Sequence, residues 1–248
     1  EDTYTIARAL ADAGYETGHS GKWHIAINHN AFPQPKDVGF DWTRHDLGVS
    51  RAMKPDRMSD FATNATTDSY RVDTDGFPRD QTTEDALQFL SDQKEKPFFL
   101  YYATWLVHTP IQTRSKRLLE KYVKKLGVAL PENSDQKWLQ KGQTNPFYCA
   151  MVEQLDHYIG TLISHLEETP DPRWPGHTLI ENTYVIFTSD NGGMEGSSSQ
   201  IITDNYPLDR GKISLMEGGT RVPLIITGPD IPRGVESDVM VNGLDFYP

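Results

Sequence analysis

The stretch "VIFTSDNGG", residues 185–193, drives apolar and β-branched residues straight into an acid, an amide and two glycines. Asp190 and Asn191 offer a carboxylate and an amide carbonyl, hard oxygen donors that suit Ca²⁺ or Mg²⁺ better than a softer transition metal. Gly192 and Gly193 let the backbone turn sharply and come close to a bound ion or anion. The same residues also close a strand as an Asx-turn that needs no ligand. Basic groups stand in other short polar segments: Lys22 and His24 in "GKWH", His108 in "VHTP" and Lys212 in "GKISLMEGGTRVP". Each has an ordinary reading as a solvated lysine or a satisfied histidine. Gathered at one point, they would grip a tetrahedral anion, because ammonium groups and a cation strengthen their hold as negative charge develops.

The elements that must position these residues alternate between helix and strand. "TIARALADAGY" places Ile6, Ala9, Leu10 and Ala13 on one helical face, with Gly14 as the stop, so a helix spans about Thr5 to Ala13. In the next segment, alternation along an extended chain puts Lys22 and His24 on the same side. Residues 28–80 are rich in Pro, Asp, Asn and Arg and read as a long loop excursion. Thr82 or Thr83 caps a helix carrying Ala86, Leu87 and Leu90, and "KPFFLYYATWLVHTP" follows as an apolar strand covered on both faces. Residues 113–143 read as a surface helix and loop, the second excursion. The clearest helix steps through Phe147, Met151, Leu155, Ile159, Leu162 and Leu166, leaving Cys149 off the seam. Such alternation predicts an α/β protein with a mixed, largely parallel sheet flanked by helices, and ligands at the carboxyl ends of its strands.

Composition narrows the function classes. The 248 residues carry 35 acidic against 24 basic side chains, a formal charge of -11 that repels nucleic acid at long range. The lone Cys149 forms no intramolecular disulfide, and no Cys/His spacing matches a structural zinc site. No stretch approaches the roughly 18 apolar residues of a membrane span. Oligomeric state is not legible.

Four segments in order, "GKWH", "VHTP", "SDNGG" and "GKISLMEGGTRVP", resemble the type I sulfatases, the formylglycine-dependent branch of the alkaline-phosphatase superfamily. The resemblance runs nearly the whole chain, through "TIARALADAGYETGHSGKWH", "PFFLYYA", "MVEQLD" and "VNGLDFYP". It implies a sulfatase-like α/β fold and residues 1–248 as one partial catalytic domain. It further implies Asp190 and Asn191 as ligands of a divalent cation, Ca²⁺ first and Mg²⁺ as the alternative. Lys22 and Lys212 would contact sulfate oxygens, His24 would lie close to the nucleophile, and His108 would stand on the leaving-group side. The substrate would be a small-molecule or carbohydrate sulfate ester, and the location periplasmic, extracellular or lysosomal.

Two parts of the family pattern are missing. No Cys/Ser-x-Pro-x-Arg motif, the source of formylglycine, occurs in the chain, and the paired aspartates of the family's first strand are absent too. "MKPDR" at 53–57 has the Pro and Arg spacing but begins with Met53, and Cys149 sits in a helix as a packed small residue. The chain therefore reads as a fragment whose parent carries the nucleophile upstream. A phosphodiesterase or phosphonate hydrolase of the same superfamily is the alternative, as is a non-catalytic binder of anionic sugars. Glu217 and Arg221 are read as scaffold; Trp42, Arg44 and Trp138 lie in the excursions read as pocket walls, where a Trp either stacks on a sugar or, more often, simply packs. His19, His29, His45, His157, His165 and His177 are left as structural.

Overall fold

The computed structural model describes residues 3–26, 30–46, 76–92, 95–113, 115–132, 136–197 and 199–247. Helix α1, Ile6–Asp12, begins where Thr5 accepts from Arg8 N and ends before Gly14, whose φ of 91° only a glycine adopts without strain. Its most buried residue is Ala7, one position off the expected face, because the helix rolls its small side chain onto the sheet. Strand β1, Glu16–Lys22, is buried through its middle on both faces and is the centre of a three-stranded sheet. Parallel to it run β2, Trp42–Asp46, and β3, Phe98–Ala103. The register sets Gly18 between Trp42 and Leu100.

Strand β2 corrects the expectation of bare loop over 28–80. Described residues 30–46 carry a 3₁₀ turn at Pro35–Val38 and then this strand. Polar spacing hid it, since Trp42, which packs against the core, is its single apolar residue. The rest of that excursion, "MKPDR" included, lies outside the described residues.

Period-two alternation along β3 divides the core. Phe98, Leu100 and Tyr102 join a cluster with Ala86, Phe89, Leu90, Leu162, Leu166 and Leu179. Phe99, on the other face, packs with Ala7, Trp23, Ala26 and Phe40. Strand β3 is less covered than expected, however, and Tyr101 stays half exposed. Gly18 is needed because a Cβ there would stand 2.6 Å from the Phe89 ring. His19 is fully buried within the rings of Trp23, Phe40 and Tyr101, a core position as expected.

Helix α2, Gln81–Asp92, is capped by Asp80, whose carboxylate accepts from Thr83 N at 2.9 Å. Neither threonine is the cap: Thr83 bonds the Tyr102 hydroxyl, and the Thr82 carbonyl accepts from Ser20. Helix α3 is Lys116–Leu126, and α4, Pro146–Glu168, starts at Asn145, which accepts from the backbone of Phe147 and Tyr148. Gln154 and Tyr158 occupy the buried seam of α4 where Leu155 and Ile159 were expected. The reason is that loop backbone and hydroxyls, not apolar side chains, pack there. Gln154 accepts from Thr113 Oγ1 at 3.0 Å, and the Tyr158 hydroxyl donates to Pro78 O at 2.6 Å.

Beyond α4, β4, Val185–Thr188, pairs antiparallel with β7, Leu224–Thr227. A short hairpin of β5, Gly196–Ser197, and β6, Gln200–Ile201, and a four-residue helix α5, Glu217–Thr220, lie between them. The sheets are thus parallel at β2-β1-β3 and antiparallel at β4-β7, the mixed α/β arrangement expected.

Candidate active site

Three strand ends supply three parts of the site. Lys22 is the last residue of β1, His108 follows β3 in the loop that begins at Thr104, and Asp190 with Asn191 follows β4. The fourth part, Lys212, comes from the loop between β6 and α5. These residues converge. Lys22 Nζ lies 3.4 Å from Asp190 Oδ2, a contact across 168 positions of sequence. Lys22 is mostly covered while Asp190 is 64% exposed, so the ammonium is held in the fold and the carboxylate faces outward.

His108 feels all three neighbours. Burial pushes its pKa below the usual histidine value; the Thr109 hydrogen bond opposes this, Lys212 and Lys22 lower it further, and Asp190 raises it. Its Nδ1 stands 2.9 Å from Thr109 O. A carbonyl only accepts, so Nδ1 carries the proton and Nε2 is left to exchange one. Lys212 is likewise held below the usual lysine value, by burial first and then by the charge of Lys22, with Asp190 opposing. Two ammonium groups that repel each other beside one carboxylate form a site with positive charge to spare.

The glycines of both motifs are explained by each other rather than by a sharp turn. Gly192 N donates to Gly219 O, and Lys212 N donates to Gly193 O, both at 2.9 Å. A Cβ on Gly192 would sit 1.8 Å from Gly218 O, one on Gly218 would sit 1.7 Å from Arg210 O, and one on Gly211 would sit 2.2 Å from Gly193 O. Neither Gly192 nor Gly193 has positive φ. Removing the side chains lets two backbones touch, which docks the Lys212 backbone on the segment just after Asp190 and Asn191. Asn205 fastens the same junction, donating from Nδ2 to Gly193 O and Arg210 O.

His24 is exposed just past the end of β1, which stops at Lys22. Two residues absent from the sequence reading do belong to the neighbourhood. The Tyr101 phenol is raised by burial and by the charge of Asp190. Trp105 presents its ring 5.4 Å from Lys22 Nζ and its carbonyl to His108 N. An aromatic three positions before a motif histidine was the available signal for Trp105; Tyr101 had none.

The aromatic residues of the excursions read as pocket walls pack. Trp42 lies against Phe89 with centroids 5.3 Å apart, Arg44 covers the Trp42 ring at 5.2 Å, and Trp138 is buried with Nε1 on Thr144 Oγ1 at 3.2 Å. Arg221 meets Glu217 through a single exposed contact of 3.2 Å. Cys149 is half-buried, and burial pushes its thiol up, the behaviour of a packed side chain.

Two oxygens of the site suit a hard cation. Asn191 spends Nδ2 on Gly192 O at 3.0 Å, which leaves its carbonyl oxygen as the donor for another partner. That oxygen and the outward Asp190 carboxylate are chemically right for Ca²⁺ or Mg²⁺. They form part of a shell only: among the described residues no three His, Cys, Asp or Glu side chains gather as a metal site.

A family model described as Sulfatase matches residues 1–248. The chain belongs to the sulfatase family. A sulfatase of Formosa agariphila is 38% identical over 159 residues, covering 62% of this chain and 25% of that protein. An arylsulfatase of Hemicentrotus pulcherrimus is 28% identical over 259 residues, 96% of this chain and 40% of the relative. The solved structure of Ps i-CgsB in complex with k-i-k-neocarrahexaose superposes with a TM-score of 0.60 at 25% identity, over 92% of this chain and 48% of that one. A PsFucS1 sulfatase from Pseudoalteromonas sp., with a TM-score of 0.55 at 22% identity, shares the fold. This sulfatase chain spans well under two thirds of the length of each of these proteins.

Proposed function

We propose that residues 1–248 form the anion-gripping part of a single catalytic domain that hydrolyses sulfate esters. The observation that carries this reading is the convergence of Lys22, Lys212, His108 and Asp190. Lys22 and Lys212 would hold the sulfate oxygens. Their mutual repulsion in the free site is relieved when a tetrahedral anion enters between them, and their attraction grows as charge spreads in the transition state. His108 would act at the leaving oxygen through Nε2. With its pKa lowered, it is mostly neutral before substrate arrives. The bound anion offsets both lysine charges and pulls that pKa back up, so the proton is taken on when there is a leaving group to receive it.

Asp190 and Asn191 would supply two oxygen ligands of a divalent cation, which adds positive charge beside the sulfate. Calcium is the first choice on donor hardness, magnesium the second. No position of this chain fits the formylglycine motif, so the nucleophile is assigned to the parent protein outside these residues. A carbohydrate sulfate is the favoured substrate class, because the structural neighbour Ps i-CgsB was solved with a neocarrahexaose. Lysosomal, extracellular or periplasmic residence follows from family membership alone.

The test uses the intact protein on aryl sulfate and aryl phosphate esters. Sulfate turnover should dominate, and Asp190→Ala should abolish it and weaken Ca²⁺ binding by calorimetry while the circular dichroism spectrum stays native. Undiminished sulfate turnover in Asp190→Ala, or preference for phosphate, would overturn the reading.

A further inference from the structure

The two cationic arms of the site meet on one side chain that no motif contains. Trp105 is buried, at 5% exposure. Lys22 Nζ lies over its ring at 5.4 Å, and the His108 imidazole stands edge-on to it, with centroids 5.8 Å apart at 86°. The Trp105 carbonyl also accepts from His108 N at 2.8 Å. We propose that Trp105 is a positioning residue, its indole face holding the Lys22 ammonium and its ring holding the His108 imidazole so that the two keep their spacing on an incoming anion. This rests on the sulfate-gripping role just given to Lys22 and His108.

Three physical points support it. A lysine has a four-carbon stem and samples many rotamers unless something fixes its end. Asp190 fixes Lys22 from one side, but a cation on that carboxylate would compete for the same oxygen. The indole face is an anchor that such competition does not touch, and tryptophan has the strongest face for it. Lastly, Trp105 Nε1 is buried with no hydrogen-bond partner among the described residues. A buried orphan donor works against the fold, and an apolar ring would fill the space without it. A ring kept for packing alone has no need of the indole.

The experiment compares Trp105→Phe and Trp105→Leu with wild type in the intact protein. Both keep an apolar side chain, and only Phe keeps a π-face. Trp105→Leu should lower kcat/KM on an aryl sulfate about tenfold with a small change in Tm, and Trp105→Phe should recover most of it. Imidazole NMR titration of His108 provides a readout that needs no substrate. The groups acting on this ring are Lys22, Lys212 and Asp190. With the indole gone, His108 is less buried, and its midpoint should move up in Trp105→Leu but little in Trp105→Phe. Equal kcat/KM losses in both variants, or an unmoved His108 midpoint in Trp105→Leu, would overturn the proposal. Lys22→Met separates this from failure of the broader reading: full sulfate turnover in that variant sinks the role of Lys22, while the His108 titration still decides Trp105.

Discussion

At the scale of single residues, the site is a set of charges that set one another's protonation. Lys22 lowers Lys212, and both lower His108, so removing one positive charge must release the others. Lys212→Met should therefore shift the His108 midpoint upward, read by imidazole NMR. In the intact protein the same substitution should lower kcat/KM by roughly a hundredfold, the scale of a lost electrostatic contact in a transition state. A fixed or falling His108 midpoint would mean that Lys212 does not face it. The sign also bears on stability. Because the folded state holds His108 below its unfolded value, the unfolded chain takes the proton first, and stability declines as pH falls through about 6.5.

Elements matter through the junction they permit. The loop after β4 lies backbone to backbone against α5 and the loop before it, because Gly192, Gly211, Gly218 and Gly219 have no side chains to separate them. Gly192→Ala forces a methyl onto Gly218 O, and the expected cost is about 1–3 kcal/mol, the range for overpacking. Gly160 provides the contrast. It lies within α4 with nothing near its missing Cβ, so Gly160→Ala should stabilise by up to about 1 kcal/mol through helix propensity. Urea denaturation of the pair checks both signs. Equal behaviour would remove the claim that the motif glycines exist for close approach.

Across the whole molecule, one buried carboxylate, Asp171, is set to carry acid sensitivity. Asp171 has a fully buried side chain, and hydrogen bonds from Arg173 hold its carboxyl below the usual aspartate range. Asn182 adds a further bond at 3.3 Å. A depressed folded value means the stabilisation is complete above the unfolded pKa of about 4 and is lost as pH falls through the folded value. Asp171→Asn should lower stability near pH 7 by about 1–3 kcal/mol, since it leaves Arg173 without its partner. Its denaturation midpoint should then fall less steeply than wild type from about pH 5 downward. Parallel slopes would show that other groups carry the acid limb.

Sequence alone determined what repeats locally: a helix from about Thr5, the long helix through Met151, Leu162 and Leu166, and the hard-oxygen or basic residue types at Asp190, Asn191, Lys22, His108 and Lys212. Each follows from residue type or from a period a reader can count. It left Trp42 and Trp138 between stacking on a sugar and plain packing, took Leu155 and Ile159 for the seam, and missed β2, because burial is settled by what arrives from elsewhere in the chain. Only the tertiary structure decided that Lys22 meets Asp190 across the sheet ends and that Trp105 lies against both Lys22 and His108. Such contacts depend on which strand lies beside which, and no local period records that.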